Sequence, residues 1–336
     1  MAVDHFLTSP EILRQNHPLD REAQASVAKM QAQLQAILTG KDPKRILIVG
    51  PCSIHHYDGA IRYAKALAQL QKQVASYAVV LMRAHIEKPR TKNSWRGFVY
   101  DPDLDGRYDT AKGITLNRQL LIELLHTGVN LSLEMLDPIL IPYFEDCYNF
   151  ALIGARTISS PIHRLAASGL NVPVGYKNRI DGDILSAVEA FSIASQPQTI
   201  LSNTVQGRIA IRRTLGNPLG CLVLRGGPEK SNYSEADLLM GAELLQSHHL
   251  PQSILVDCAH GNSTGHGQSY TFERMLPILK DPSSPIKGLL LESYLKSGHY
   301  TGNNRTSFLS DTSITDSCVS IEETTRLFDL FLQAMH

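Results

Sequence analysis

Hydrophobic positions along the chain follow two alternating patterns. Short runs such as Ile46-Leu47-Ile48-Val49, Val79-Val80-Leu81-Met82 and Ile254-Leu255-Val256 are apolar at every successive position, as in strands covered on both faces. Between such runs lie longer segments with apolar residues at helical spacing, at 58–72, 110–126, 138–149, 183–193, 235–246 and 271–279. The pattern predicts eight strands, at 45–51, 78–83, 131–136, 150–155, 172–177, 220–225, 253–258 and 287–292. Strands separated by helices need crossover connections and pair in parallel. Eight repeats within 336 residues fit an α/β fold of the closed (β/α)8 TIM barrel type. An open doubly wound sheet shares the alternation, but no Gly-rich dinucleotide fingerprint follows the first strand.

Two segments interrupt the repeat. Residues 1–44 form an N-terminal extension with a helix from about Pro18 to Leu38, stopped by Gly40. Standing ahead of the first strand, it reads as an appendage to a barrel of residues 45–336, serving as an oligomer contact or regulatory cover. The second interruption is at 198–214, where two extended runs flank Thr204-Val205-Gln206. This predicts an antiparallel β-hairpin inserted before strand 6.

Composition narrows the partners. Lys and Arg total 32, matched by 32 Asp and Glu, so no global field favours nucleic acid or a membrane surface. Five cysteines at unpaired spacings, no apolar run of bilayer length and no basic, apolar leader predict a reduced cytoplasmic protein. Any recognition of anions must then be local.

The predicted strand ends supply that local chemistry. Arg83 closes the second strand and is followed by Glu87-Lys88-Pro89-Arg90-Thr91, three cations and a hydroxyl within nine residues. Pro89 biases Lys88 toward extended backbone, and Arg suits bidentate phosphate recognition. A solvated basic turn is the plain alternative. Other strands run into Gly50-Pro51-Cys52-Ser53-Ile54-His55, Lys177-Asn178, Arg225-Gly226-Gly227 and Asp257-Cys258-Ala259-His260. In a TIM barrel these ends share one face, the site of catalysis. Cys52, His260, Glu292 and Asp316 would then meet at one rim, and their thiolate, imidazole and two carboxylates suit Mn2+, Fe2+, Co2+ or Zn2+. Each also has a structural reading: a free Cys as a small hydrophobe, a strand-end His merely hydrogen-bonded, Asp316 as N-cap of a helix beginning near Cys318.

In order and spacing, these motifs, with Gly154-Ala155-Arg156-Thr157, Ala167-Ser168-Gly169-Leu170 and Ser313-Ile314-Thr315-Asp316, resemble the type I 3-deoxy-D-arabino-heptulosonate-7-phosphate (DAHP) synthases. The resemblance runs from about residue 8 to the end and is nearest the feedback-regulated enterobacterial subclass. It implies condensation of phosphoenolpyruvate with erythrose 4-phosphate, the first step toward the aromatic amino acids. It also implies a divalent metal, Mn2+ foremost, on Cys52, His260, Glu292 and Asp316. Phosphoenolpyruvate would be held by Arg83, Arg156, Lys177 and Arg225 with backbone at Gly154 and Ala155. Lys88, Arg90 and Thr91 would face the aldose phosphate, with Lys88 carrying the proton. Crowding by Arg83 and Arg90 predicts a lowered Lys88 pKa. An aromatic amino acid effector near the hairpin and a homo-oligomer, dimer or tetramer, are implied as well.

The chain departs from the family pattern at Ile158-Ser159-Ser160, which lacks a carboxylate, at Arg179 in place of Gly, and at Val205-Gln206 in the hairpin. Arg179 is expected to add a cation beside Lys177. Two rivals to DAHP formation remain, a related phosphoenolpyruvate-aldose condensation with another acceptor and a non-catalytic regulatory barrel.

Overall fold

The computed structural model describes residues 5–90, 94–300 and 310–336. In chain order its strands are β1 (Arg45–Gly50), β2 (Ala78–Arg83), β3 (Asn130–Glu134), β4 (Phe150–Ile153), β5 (Val174–Lys177), β6 (Thr199–Asn203), β7 (Ile209–Arg213), β8 (Gly220–Leu224), β9 (Ile254–Asp257), β10 (Ile286–Tyr294) and β11 (Val319–Ser320). The helices are α1 (Pro10–Asn16), α2 (Arg21–Leu38), α3 (Tyr57–Val74), α4 (Thr110–His126), α5 (Ile141–Phe144), α6 (Pro161–Ala167), α7 (Leu185–Ala194), α8 (Glu235–Ser247), α9 (Gln268–Lys280) and α10 (Ile321–Met335).

Parallel pairing runs β1-β2-β3-β4-β5-β8-β9-β10, and β10 returns to β1 with Ile46 opposite Gly288 and Gly50 opposite Glu292. The eight strands therefore close a (β/α)8 barrel, as the alternation predicts. β6 and β7 pair only with each other, antiparallel, with Leu201 opposite Ile211.

Alternation along each strand divides the core. Ile46 and Ile48 of β1 point into the barrel with Leu81, Leu152, Val223 and Leu255, while Leu47 and Val49 face the surrounding helices. Leu34, Ile37 and Leu38 of α2 belong to the interior cluster, and the Leu38 carbonyl accepts a 2.6 Å hydrogen bond from Ser253. α2 thus floors the barrel at the N-terminal ends of the strands. The appendage reading fails for this helix, because its apolar stripe fills the barrel mouth opposite the site.

Local chemistry sets the element boundaries. Asp20 caps α2 by accepting from Ala23 N at 2.8 Å, and Gly40 ends it at φ 75°, a left-handed conformation that favours Gly. The predicted helix from Pro18 consequently starts at Arg21, with the separate α1 before it. The predicted helix over 138–149 is instead a 3-10 turn, Pro138–Leu140, followed by the one-turn α5. Pro142 has no N–H for the carbonyl of Pro138, which weakens a regular helix across that turn. Cys147 therefore lies in the turn after α5, outside any helix. α10 is capped by Ser320, whose side chain accepts from Glu323 N at 3.2 Å, so Asp316 is free of the capping role. Among the described residues no helix is long and apolar enough to cross a membrane.

Candidate active site

The C-terminal ends of the strands surround a cavity of about 380 Å³. Arg83 from β2, Lys177 from β5 and Arg225 after β8 line it, with Arg156 after β4 and Lys88 from the loop after β2. Glu134, His260, Glu292 and Asp316 supply the opposing groups. Seven of the eight barrel strands, all but β1, contribute residues to this lining from their last positions or the loop that follows, so closure alone brings together groups far apart in sequence.

Most of the cations are already held in place. Arg83 is 2% exposed, with Nη2 2.9 Å from Glu292 Oε1 and Nε donating to the Pro51 carbonyl at 3.1 Å. Lys177 Nζ donates to Asp257 Oδ2 at 2.7 Å, both groups being buried. Asn178, next in sequence, accepts from Arg225 N at 2.7 Å and donates to the Gly226 carbonyl at 3.1 Å, tying β5 to the turn after β8. Burial lowers the Arg225 pKa, with Asp257 opposing and Arg156 adding to the effect. Arg156 is exposed and has no carboxylate within ion-pair distance among the described residues. Two arginines facing each other without an anion between them mark the place for an anionic ligand.

Beside these cations, Cys52 Sγ and oxygens of Glu292 and Asp316 lie within 4.8 Å of one another. Their loops meet because β10 pairs with β1. The fourth candidate, His260, lies at the edge of this cluster with Nε2 3.7 Å from Glu292 Oε1 and Nδ1 3.1 Å from Asp257 Oδ2. Its backbone takes φ 61°, an uncommon conformation outside glycine that recurs at functional positions. Glu292 Oε1 is buried and lacks hydrogen-bond geometry to any group, despite its proximity to Arg83. A buried carboxylate oxygen with spare capacity, beside a thiol, a second carboxylate and an imidazole, fits a borderline divalent cation.

Lys88 occupies the middle of this cluster, Nζ donating to Cys52 Sγ at 2.6 Å and to Asp316 Oδ2 at 2.9 Å. Burial works to lower its pKa, but Cys52, Glu292 and Asp316 outweigh that and raise it. The expectation of a lowered value is thus overturned. Arg83 is turned to Glu292, and Arg90 is exposed with Nε on the Trp95 carbonyl at 3.0 Å, so anions outnumber cations around Lys88. Burial, reinforced by Glu292, pushes the Cys52 thiol up to about 11.

Arg90 does not line the cavity, and Thr91 lies outside the described residues. Arg179 does not add a cation beside Lys177, since its side chain is exposed and paired with Asp181 at 2.6 Å. Ile158 is fully buried, and Ser160 accepts or donates at 2.8 Å with His163 Nδ1. Two residues at the site were not foreseen. Glu134 ends β3 and lines the cavity, and a Cβ at position 154 would run into its carboxylate, which explains the glycine there. His85 stands behind it. The signal for Glu134 was available, as the one charged residue of β3 and its last; His85 offered none.

Residues 22–329 match the family model described as the DAHP synthetase I family. The chain belongs to this family. It is 36% identical to the Tyr-sensitive phospho-2-dehydro-3-deoxyheptonate aldolase of Escherichia coli K12, over 99% of this chain and 93% of that protein. It is 35% identical to the Trp-sensitive enzyme of the same name from Enterobacter agglomerans, over 98% of this chain and 95% of that one. The solved structure of phospho-2-dehydro-3-deoxyheptonate aldolase from Francisella tularensis SCHU S4 superposes with a TM-score of 0.96 at 35% identity, covering 100% of this chain and 98% of the other. As a DAHP synthetase I family member, the chain brings the strand-end cations, Glu292 and Asp316 to one cavity, with Cys52 beside the two carboxylates, despite its three local departures.

Proposed function

We propose that this chain is a metal-dependent DAHP synthase, joining phosphoenolpyruvate and erythrose 4-phosphate into DAHP with release of inorganic phosphate. The observation that carries this reading is the convergence of Arg83, Arg156, Lys177 and Arg225 on one cavity beside the Cys52, Glu292 and Asp316 cluster. Phosphoenolpyruvate places a carboxylate and a phosphate side by side, and several cations fixed on separate strands can bind both without reorganising. The backbone at Gly154 and Ala155 completes that subsite; Lys88 lines the same cavity, and with Arg90 and Thr91 it is assigned to the aldose phosphate on the family resemblance alone.

Bond formation runs from C3 of the enol phosphate to the aldehyde carbon. Lys88, which lines the cavity, gives its proton to the new alkoxide oxygen. Water adds at C2, and the C2–O bond to phosphate breaks. Among the carboxylates lining the cavity, Glu134 is the one outside the proposed metal set, and it takes the proton from that water. Cys52, His260, Glu292 and Asp316 would hold a divalent ion, Mn2+ foremost or Fe2+, Co2+ or Zn2+, which would supply Lewis acidity toward the aldehyde. Cys52 and His260 enter catalysis through that ion. Lys88→Ala should abolish turnover while metal content stays unchanged, because the change removes a cation from the cluster; activity near wild type would refute the role.

A second cavity, of about 540 Å³, lies between β6, α6 and the Pro138–Leu140 turn. Its wall is largely apolar, with Ile139, Ile162, Leu165 and Ile200, and carries Asp137 and Arg212. An aromatic amino acid has matching parts, a ring for the apolar wall and opposite charges for the two ionic groups. The relatives named Tyr-sensitive and Trp-sensitive support a feedback role for it. Inhibition assays with Phe, Tyr and Trp, repeated on Arg212→Ala, test the assignment: one should inhibit, and the variant should need about tenfold more of it for the loss of one charged contact.

A further inference from the structure

His85 is a buried titratable group to which the mechanism so far gives no task. It follows Arg83 by two residues, is 1% exposed, and its carbonyl accepts from Ile54 N at 2.8 Å, which pins its backbone to the loop after β1. Its Nδ1 lies 3.3 Å from Glu134 Oε2, whereas Nε2 is buried with no hydrogen-bond partner among the described residues. That asymmetry selects a tautomer. A proton on Nε2 would leave a buried donor unpaired and turn the Nδ1 lone pair toward an anion, so the proton belongs on Nδ1, donated to Glu134. No lysine or arginine comes within ion-pair distance of Glu134 among the described residues, so the orientation of this carboxylate rests on one donor.

We infer that His85 is the positioning residue for Glu134, holding its carboxylate toward the cavity as an oriented base for the water that adds at C2. The inference rests on the condensation proposed above. The electrostatics agree with the geometry. Burial and Arg83 drive the His85 pKa down to about 3, so the imidazole is neutral and can donate only from Nδ1. Against burial, the hydrogen bond from His85 with the charges of Lys177 and Arg83 brings Glu134 down to about 2. The charged groups facing this pair are Arg83 from β2, Glu87 from the loop after β2 and Lys177 from β5.

His85→Phe, His85→Asn and His85→Gln in the metal-loaded enzyme provide the test. An Asn amide nitrogen falls near the place of Nδ1, whereas a Gln amide reaches past it. The Phe and Gln variants should lose about tenfold or more in kcat, the scale of a mis-set general base, while KM for phosphoenolpyruvate stays within about threefold. Without its donor Glu134 titrates at higher pH, so the acid limb of the kcat profile should move upward in both. His85→Asn should restore most of kcat and return the limb. Equal loss in Asn and Gln, a wild-type kcat and acid limb in folded Phe or Gln variants, or a loss carried by KM would each overturn the inference. If the Phe variant does not fold, the Asn and Gln pair still decides. A wild-type control that releases no phosphate overturns the condensation reading and this inference with it, and is told apart because it precedes any substitution.

Discussion

Arg156 and Lys177 bring the same charge to the cavity from different surroundings, and that difference is testable. Arg156 is exposed and unpaired among the described residues, so Arg156→Ala should raise KM for phosphoenolpyruvate about tenfold or more while stability stays within roughly 0.5 kcal/mol. Lys177 neutralises Asp257, which is fully buried. Lys177→Met should weaken substrate binding and also cost about 3–5 kcal/mol in urea denaturation, because a buried carboxylate loses its partner. Equal stability of the two variants would contradict the ion-pair account. Glu87 gives a pH test. Burial pushes it up to about 8, with Tyr100 opposing. Its folded value lies above its unfolded one, so between roughly pH 4.5 and 8 the folded state binds more protons and stability falls as pH rises. Glu87→Gln, measured by thermal melts from pH 5 to 9, should flatten that decline; an unchanged slope would count against it. The sequence could name Lys88 and Arg83 but not the sign of their interactions. The groups that decide it, Glu292 and Asp316, arrive from more than two hundred residues away through barrel closure.

Among elements, the barrel strands were the most legible, since strands covered on both faces are apolar throughout and leave an unmistakable run. The 138–149 segment was not, because its apolar spacing is helical although the chain there forms only a 3-10 turn and one α-helical turn that ends at Phe144. The role of α2 was legible only in part. Its periodicity gave the helix, but nothing local shows that Leu34 and Ile37 enter the barrel interior. Ile37 is fully buried, and Ile37→Ala should cost about 2–5 kcal/mol by urea denaturation with kcat intact in the folded protein, since the floor is remote from the site. A cost below about 1 kcal/mol would return α2 to the status of an appendage. The hairpin carries Leu201, Ile209 and Ile211 on its exposed side at 77%, 82% and 72%. Its turn is hooked to the N-terminal segment, Glu11 N donating to the Val205 carbonyl at 2.7 Å. An apolar face of this kind supports the proposed homo-oligomer. Light scattering should give a dimer or tetramer for the native chain, and a lower mass for Ile209→Lys with Ile211→Lys; a native monomer would contradict the proposal.

At the scale of the whole molecule, one topological fact makes the site. β10 pairs with β1, so Glu292 and Asp316 come beside Cys52, and the pairing of β10 with β9 places His260 against Glu292. The four candidates are scattered across 265 residues of sequence, from Cys52 to Asp316, so no local spacing announces them. Counting eight strands and closing the sheet does. The second cavity could not be anticipated as a shape, because its wall combines the hairpin, α6 and the turn at Pro138. The central claim is that the anion pocket and the thiol-carboxylate cluster form one catalytic unit, and chelation tests it most directly. Phosphate release and DAHP formation from phosphoenolpyruvate and erythrose 4-phosphate should be absent in enzyme shown metal-free by elemental analysis. Both should return on adding Mn2+ to the native chain and fail to return in Cys52→Ala. Full activity in the verified metal-free enzyme would contradict the account.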